Sequence, residues 1–336
     1  SRPATRRADL RISSSRQSIP VISSRGPQLQ REAQYISMPF SPTETEAAYA
    51  HCAQVVRRHY ENFPVATLLI PKQMRRHVAA IYAFARQADD FADEASYEGR
   101  RAGLLADWRR KLDAAAAGIA TDPVFIALSS TISSQRLPVV LMHDLISAFE
   151  QDIRVSHYET FTDLLAYCRL SANPVGRLVL HLFGHASDRL KEQSDSICTA
   201  LQLANFWQDV AIDQAKGRCY IPREDLVRFR CTQEDLARGR AEEGFVEVMR
   251  FEVNRTRDLF IKGAGLPAAV GGRLGFELKL VLLGGMRILE RIERSNYDVF
   301  RKRPALGAPD WALLLVRDTS RLLKNSLRVS FRGAKR

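Results

Sequence analysis

The sequence has no long hydrophobic run. A membrane-spanning helix needs about 20 consecutive apolar residues, and the uncharged run between Asp122 and Arg136 holds only 13 residues. The five cysteines are odd in number, and none forms a C-x-x-C pair. No segment resembles a secretory signal. These absences favour a soluble or peripheral protein in a reduced, cytoplasmic compartment, with the inner membrane face as a candidate place of contact.

Three other patterns are missing. No stretch alternates β-branched residues in the way of a strand, no internal repeat is present, and no glycine-rich loop is available to cradle a phosphate. The net charge is +12, a balance compatible with nucleic acid, a membrane surface or an anionic substrate. Basic residues interleaved with stacking aromatics, which nucleic-acid modules use, are absent, so a nucleic-acid partner is not expected.

Residues 1–43 are rich in Ser, Arg, Pro and Gln and show little apolar periodicity. We expect them to be a disordered basic extension. An arginine- and serine-rich, acid-poor start can resemble an organelle transit peptide. The simpler interpretation, which we favour, is that Met38 is the true start and that an upstream extension precedes it.

From Thr43 onward, apolar residues recur at the spacing of amphipathic helices. The predicted helices lie near residues 44–60, 72–96, 100–118, 138–153, 160–186, 189–213, 232–262, 271–296 and 310–330. Breaks that contain Pro or Gly separate them, and Asn173-Pro174 interrupts the pattern inside one of them. Because no polar linker intervenes, the sequence predicts a single all-α domain over residues 44–336.

The first unusual feature is an acidic cluster inside an apolar helix. At about 100° per residue, Tyr82, Arg86, Asp89 and Asp93 lie within about 60° of one another, with Asp90 about 60° further round. Like charges four residues apart destabilise an isolated helix by a few tenths of a kcal/mol. A hard divalent cation bridging the carboxylates would offset that cost. A solvated acidic face paired with arginine remains the alternative.

A second helix carries a comparable set. Gln202, Asn205, Asp209 and Asp213 recur at i, i+3, i+7 and i+11, within about 80° on one face. Buried acids and amides without partners are costly, and a metal–diphosphate assembly would satisfy them. Two such helices in one all-α chain indicate a shared metal site.

These residues resemble the squalene/phytoene synthase family over roughly residues 45–300. The matching motifs are Tyr82-x-x-x-Arg86-x-x-Asp89-Asp90-x-x-Asp93, Tyr167-Cys168, Gln202-x-x-Asn205-x-x-x-Asp209-x-x-x-Asp213 and Gly217-Arg218-x-Tyr220-x-Pro222. Within the family, the segments Glu61–Ala66, Tyr167–Arg177 and Asn205–Asp209 resemble the hydroxysqualene synthase branch of bacterial hopanoid biosynthesis, the HpnC type. The resemblance implies an isoprenoid-synthase helical bundle with a central active-site cavity.

The resemblance also implies a chemistry. Presqualene diphosphate would ionise with the help of two or three Mg²⁺ ions, and water would capture the rearranged cation to give hydroxysqualene. The implied metal ligands are Asp89, Asp93, Asn205, Asp209 and Asp213, with Asp90 beside them. Arg86, Gln202, Arg218 and Tyr82 would bind the diphosphate. Tyr167 would lie near the reacting carbons, although a tyrosine that only packs between helices gives the same sequence pattern.

One departure from the family separates two hypotheses. Squalene and phytoene synthases usually carry Arg immediately before the aspartate of the second motif, where this chain has Gln208. The loss of that charge favours one diphosphate substrate over two. The alternatives are a condensing head-to-head synthase, making presqualene diphosphate, squalene or phytoene, and a non-catalytic relative that acts as an assembly or binding protein.

The C-terminal region is basic and amphipathic. Leucines alternate with Arg and Lys between Trp311 and Phe331, which predicts a helix at about 310–331. Such a helix can lie on an anionic membrane surface or pack on the domain. The expected partners are therefore the prenyl diphosphate substrate, a peripheral membrane contact and other enzymes of the squalene pathway.

Overall fold

The computed structural model describes residues 40–58, 70–307 and 310. Its α-helices are α1 Pro42–Arg58, α2 Lys72–Asp93, α3 Arg101–Ala116, α4 Pro123–Gln135, α5 Val140–Asp152, α6 Phe161–Ser171, α7 Asn173–Leu182, α8 Asp188–Ala215, α9 Arg223–Arg228, α10 Gln233–Ala237, α11 Glu243–Gly263, α12 Leu266–Val270 and α13 Gly272–Arg294. The described residues contain no β-strand, only an isolated bridge between His157 and Cys219. They belong to one compact unit, Met38–Arg336. The predicted all-α class is confirmed.

Helix α4 was not predicted. The Asp122 side chain accepts a hydrogen bond from the Val124 amide at 2.9 Å, and Pro123 occupies the first turn, so the start follows ordinary capping chemistry. The helix ends at Arg136, whose φ of 51° is left-handed. Every residue from Ala127 to Ile132 is buried. A helix surrounded on all sides has no polar face, so it carries no amphipathic period.

Two predicted helices are divided. Residues 160–186 form α6 and α7, which meet at Ala172 beside the Asn173-Pro174 pair. Proline lacks the amide that would continue the helical hydrogen bonding. Residues 232–262 form α10 and α11, and Gly239 turns the chain between them with a φ of 63°.

Two predictions fall largely outside the described residues. The extension at 1–43 is described only from residue 40, and α1 begins at Pro42, slightly before the predicted boundary. The helix predicted at about 310–331 is described only at residue 310. No described helix is both long and apolar enough to cross a membrane.

The core consists of two hydrophobic clusters. The first cluster takes most of its residues from the five helices α1, α2, α3, α4 and α5. Within it the rings of Trp108 and Phe125 are in contact, with 4.4 Å between their centroids. The second surrounds α8 and includes α6, α11 and α13. In it the fully buried Trp207 donates a hydrogen bond to the Thr256 hydroxyl at 2.7 Å. Burial and this hydrogen bond hold the inner side of helix α8 against α11.

The segment after α8 is attached to the segment before α6. Gly217 turns the chain with a φ of 73°, a conformation that costs glycine little. The Cys219 amide then donates to the Ser156 carbonyl at 2.7 Å, and the Arg223 amide donates to the Tyr158 carbonyl at 2.9 Å. This attachment fixes the loop 216–222, which carries side chains to the site.

Candidate functional site

The first acidic cluster occupies the last turns of α2. Its inner face buries Phe84, Ala88 and Ala92, so the charged residues of the motif face the other way. Arg86 pairs with Asp89 at 3.2 Å and with Asp90 at 2.5 Å. Burial raises the pKa of Asp89, and nearby carboxylates add to that effect while Arg86 opposes it. The Tyr82 side chain is half-buried on the same helix, and burial raises its pKa.

Asp93 joins the first motif to the loop that follows the second motif. Lys216 Nζ lies 2.6 Å from Asp93 Oδ2, and Arg218 Nη1 lies 2.8 Å from Asp93 Oδ1. Burial alone would raise the pKa of Asp93, but the hydrogen bonds and charges of Lys216 and Arg218 outweigh it and lower that pKa. The predicted diphosphate-binding Arg218 therefore contacts a predicted metal ligand.

The second acidic cluster occupies the last half of α8. Burial first, and then repulsion from Asp209, raise the pKa of Asp213 to about 7, while Arg218 and Lys216 act in the opposite direction. Asp93 also contributes to this rise, which shows that the two motifs share one electrostatic environment. Gln202 is half-buried and Asn205 is exposed on the same helix.

Asp209 is paired with an arginine that the sequence did not indicate. Arg303 donates from Nη2 to Asp209 Oδ2 at 2.9 Å, and its Nε contacts the other carboxylate oxygen. The residue beside Asp209, Gln208, is buried and donates from Nε2 to the Pro304 carbonyl. Residues 208 and 209 differ by about 100° around the helix, so their side chains point to different surroundings. The guanidinium that pairs with Asp209 therefore comes from a distant segment of the chain and not from the neighbouring position 208.

An aromatic wall adjoins the acidic clusters, and we define it as Tyr158, Tyr167, Phe206 and Tyr220. Phe206 stacks on Tyr220, with 3.7 Å between ring centroids. Tyr167 lies 6.2 Å from each of these two rings and 5.6 Å from Tyr158. The structure brings the predicted Tyr167 to the same region as Arg218, because Tyr220 and Arg218 share the loop 216–222.

Tyr167 also has a polar partner. Its hydroxyl donates to Asp152 Oδ2 at 3.1 Å. Burial raises the pKa of Asp152 to about 7, and burial together with the charge of Asp152 raises the pKa of Tyr167 well above its ordinary value. Sequence periodicity could not identify Asp152, Lys216 or Arg303, because each belongs to the site through contacts between distant elements.

A cavity of about 320 Å³ opens beside the wall. Its lining includes Tyr158, Phe206, Asp213, Arg218 and Tyr220. The lining therefore joins one side of the aromatic wall to the second acidic cluster and to the loop that carries the cations. Apolar surface and charged groups meet in this space, as in many small-molecule sites.

The acidic residues suit a hard cation in their chemistry. All candidate ligands offer oxygen, which Mg²⁺ prefers. Within the described residues no group of three or more His, Cys, Asp or Glu side chains is arranged to hold a metal ion. Asp93 and Asp209 are instead paired with Lys or Arg. The donors therefore fit Mg²⁺ in their chemistry, and Asp93 and Asp209 would exchange their Lys and Arg partners to hold it.

Comparisons with known proteins identify the family of the chain. A family model described as squalene/phytoene synthase matches residues 56–310. A phytoene synthase of Arthrospira platensis is 29% identical over 288 residues, covering 82% of this chain and 93% of that protein. A hydroxysqualene synthase of Zymomonas mobilis is 37% identical over 228 residues, covering 66% of this chain and 75% of that protein.

Solved structures give the same result. Squalene synthase HpnC from Alicyclobacillus acidocaldarius is 43% identical and aligns with a TM-score of 0.73, over 77% of this chain and 97% of that chain. A dehydrosqualene synthase, 23% identical with a TM-score of 0.76 over 85% of this chain and 99% of that chain, shares the fold. The isoprenoid-synthase bundle expected from the sequence is confirmed. The family model covers most of the chain, and the chain therefore belongs to the squalene/phytoene synthase family of head-to-head prenyl synthases.

Proposed function

We propose that this chain converts presqualene diphosphate and water into hydroxysqualene and diphosphate, with Mg²⁺, in squalene and hopanoid biosynthesis. The observation that carries the proposal is the 43% identity to squalene synthase HpnC over 77% of this chain. The 37% identity to a hydroxysqualene synthase supports it. Two phytoene synthases match more of the chain but at only 29% and 30% identity.

The cations of the site suit a diphosphate leaving group. Arg86, Lys216, Arg218 and Arg303 each contact an acidic residue of one of the two motifs. A guanidinium presents a planar set of donors that matches phosphate oxygens. These four side chains would bind the diphosphate as it leaves, with Gln202 and Tyr82 as neutral contacts.

The proposed metal ligands are Asp89, Asp93, Asn205, Asp209 and Asp213, with Asp90 held beside them by Arg86. When bound, Mg²⁺ would neutralise the charge that develops on the leaving group. The chain's own carboxylates would position the ions by exchanging their present Lys and Arg partners. Asp213 has no described cation at ion-pair distance.

The aromatic wall would act on the hydrocarbon part of the substrate. The faces of Tyr167, Phe206 and Tyr220 carry partial negative charge that attracts a cation. Tyr167 and Phe206 are buried and Tyr220 is partly buried, so these rings would exclude bulk water from the reacting carbons. A site that admits one water while excluding the rest would favour an alcohol product.

A condensing head-to-head synthase is the second candidate. The pairing of Arg303 with Asp209 favours it, since this arginine supplies a positive charge beside the second acidic motif. Gln208 by itself is therefore weak support for a single diphosphate substrate. The reaction products, and not the number of cations at the site, distinguish the two functions.

The test incubates purified protein and Mg²⁺ with presqualene diphosphate, and separately with farnesyl diphosphate, without a reductant, and identifies products by mass spectrometry. Hydroxysqualene from presqualene diphosphate supports the proposal. Presqualene diphosphate or phytoene made from smaller precursors shows a condensing enzyme. A protein that releases no diphosphate from any prenyl substrate is a binding protein.

Two substitutions test the proposed metal ligands. Asp89→Ala and Asp209→Ala should each lower turnover by more than about a hundredfold, while circular dichroism shows unchanged helicity. Asp188→Ala is the matched control, since Asp188 is exposed on α8, the helix that carries Asp209, and pairs with Lys191. Full activity in both site variants would refute the metal assignment.

A further inference from the structure

Asp152 is the last residue of α5, and its only described hydrogen bond is the one from Tyr167. The Tyr167 side chain is 4% exposed, and the other three residues of the aromatic wall surround its ring. Tyr158, its neighbour in the wall, has a different partner, accepting from Gln151 Nε2 at 3.3 Å. The bond between Tyr167 and Asp152 is thus the link from the wall to an ionisable acid.

The hydroxyl hydrogen of Tyr167 is committed to Asp152. The Tyr167 oxygen keeps lone pairs that can accept a hydrogen bond from a donor such as water. A carboxylate that accepts this hydrogen bond also orients the phenol, as the acid of a catalytic triad orients its base. Aspartate, tyrosine and water would then form one proton path.

We propose that Asp152 accepts, through Tyr167, the proton that the attacking water loses when hydroxysqualene forms. The inference rests on the proposed function and adds a proton acceptor to it. Asp152 acts through Tyr167 and is a positioning residue, whereas Tyr167 would touch the water.

The atoms and electrons of this step balance. The carbon–oxygen bond to the diphosphate breaks, and its electron pair leaves with the diphosphate. The water oxygen bonds to the cationic carbon, and one of its O–H bonds breaks. That proton moves to the Tyr167 oxygen while the Tyr167 hydrogen moves to Asp152 Oδ2. The net result is an alcohol, a diphosphate and a protonated Asp152, with no oxidant or reductant.

The surroundings of Asp152 suit a proton acceptor near neutral pH. Burial raises its pKa to about 7; the Tyr167 hydrogen bond and Arg218 oppose that rise, and Asp89 and Asp93 add to it. A solvated aspartate, with a pKa of about 3.9, holds a proton too weakly to be an efficient base. General bases work best when their pKa lies near the operating pH.

The experiment compares Asp152→Asn, Asp152→Glu, Tyr167→Phe and the Asp152→Asn/Tyr167→Phe double variant. Glu150→Gln is the matched control, because Glu150 lies on the same α5 and pairs with Arg109. Each protein is given presqualene diphosphate and Mg²⁺, and hydroxysqualene, other hydrocarbons and released diphosphate are quantified from pH 5.5 to 9.

Asp152→Asn should lower the rate of hydroxysqualene formation about a hundredfold, within the usual range for a general base, and change KM by less than about threefold. The fraction of released diphosphate that ends as alcohol should fall, and the acidic limb of the pH–rate profile should disappear. Asp152→Glu should restore part of the rate. The double variant should be no slower than either single variant, because the two residues act as one unit.

The inference is overturned if Asp152→Asn retains the alcohol fraction and the acidic limb, or if the losses of the two single variants multiply. If Asp152→Asn does not fold, Asp152→Glu and Tyr167→Phe provide the test. The acidic limb of the pH–rate profile must then be lost or shifted in both variants. A wild-type protein that makes no hydroxysqualene overturns the proposed function itself, which is a different result.

Discussion

Arg303 and Asp209 form a two-point ion pair across 94 residues of chain. The pair holds the segment after α13 against the second acidic motif. The hydrogen bond from Gln208 Nε2 to the Pro304 carbonyl holds the same segment in place. A third contact follows further along the segment, where the buried Asp310 accepts from Arg287 at 2.9 Å. Residues 303 and 304 therefore belong to the surroundings of the second acidic motif.

Arg303→Gln should raise the KM for presqualene diphosphate about tenfold. A hydrogen bond to a charged group is worth about 1.5–3 kcal/mol, and tenfold corresponds to about 1.4 kcal/mol. Steady-state kinetics provide the measurement. Arg301→Gln is the control, because the Arg301 side chain is 89% exposed and pairs with Asp298 in the same segment. An equal change in both variants would refute a specific role for Arg303.

A second measurement on the same variant distinguishes two roles for the arginine. If Arg303 only neutralises Asp209, its removal should strengthen Mg²⁺ binding, and less Mg²⁺ should then be needed for half-maximal activity. If Arg303 binds the diphosphate, the Mg²⁺ requirement should rise together with KM. We expect the second outcome, since a guanidinium that already spans two carboxylate oxygens has the geometry for phosphate oxygens.

Gln208→Arg should not produce a condensing enzyme. The side chain at 208 is buried and faces the Pro304 carbonyl, and a larger side chain there should cost about 1–3 kcal/mol by overpacking. Gln208→Leu, which keeps similar bulk without the donor, should cost about 1 kcal/mol. Urea unfolding and product analysis measure both effects. Condensation products from Gln208→Arg would contradict the expectation.

Glu252 should make the protein less stable as the pH rises. It is fully buried, and burial raises its pKa to about 7, while Arg255 opposes that rise and Asp225 adds to it. The folded chain therefore binds more protons than the unfolded chain between about pH 4.5 and 7. The stabilisation is complete below about pH 4.5 and is lost as the pH rises through about 7.

The expected size is at most about 3–4 kcal/mol, since one pKa unit corresponds to about 1.4 kcal/mol. Free energies of unfolding measured from pH 5 to 8.5 should fall more steeply in the wild type than in Glu252→Gln. Glu247→Gln is the control on the same α11, because Glu247 is half-exposed and pairs with Arg250. Parallel curves in all three proteins would contradict the assignment to Glu252.

Periodicity predicted what depends on a single helix. The face shared by Arg86, Asp89 and Asp93 follows from about 100° per residue, and so does the face of Asp209 and Asp213. The all-α class followed from the same signal. The buried helix α4 was not predicted, because a helix without a polar face shows no amphipathic period.

Contacts between distant segments could not be predicted in this way. Asp152 belongs to the site through the hydroxyl of Tyr167, and Arg303 through the carboxylate of Asp209. Neither contact can be read from the spacing of residues in the sequence, because each depends on how helices and loops pack. The family resemblance identified site residues by their positions in the motifs. It also used Gln208 to favour a single diphosphate substrate, although the Gln208 side chain is buried and faces the Pro304 carbonyl.

The close approach of α11 and α8 depends on a glycine. A Cβ atom on Gly263 would lie 2.8 Å from the Gln193 carbonyl oxygen and 2.5 Å from Ile197 Cγ1. Gly263→Ala should therefore destabilise the protein by about 1–3 kcal/mol, because backbone has to move. Gly103→Ala is the matched control on α3, where a Cβ would meet no atom within 4 Å. The control should be neutral or stabilise by up to about 1 kcal/mol, since alanine favours the helix. The free energies of unfolding of both variants are measured with denaturant. A Gly263→Ala protein as stable as Gly103→Ala would show that α8 and α11 can move apart without loss of stability.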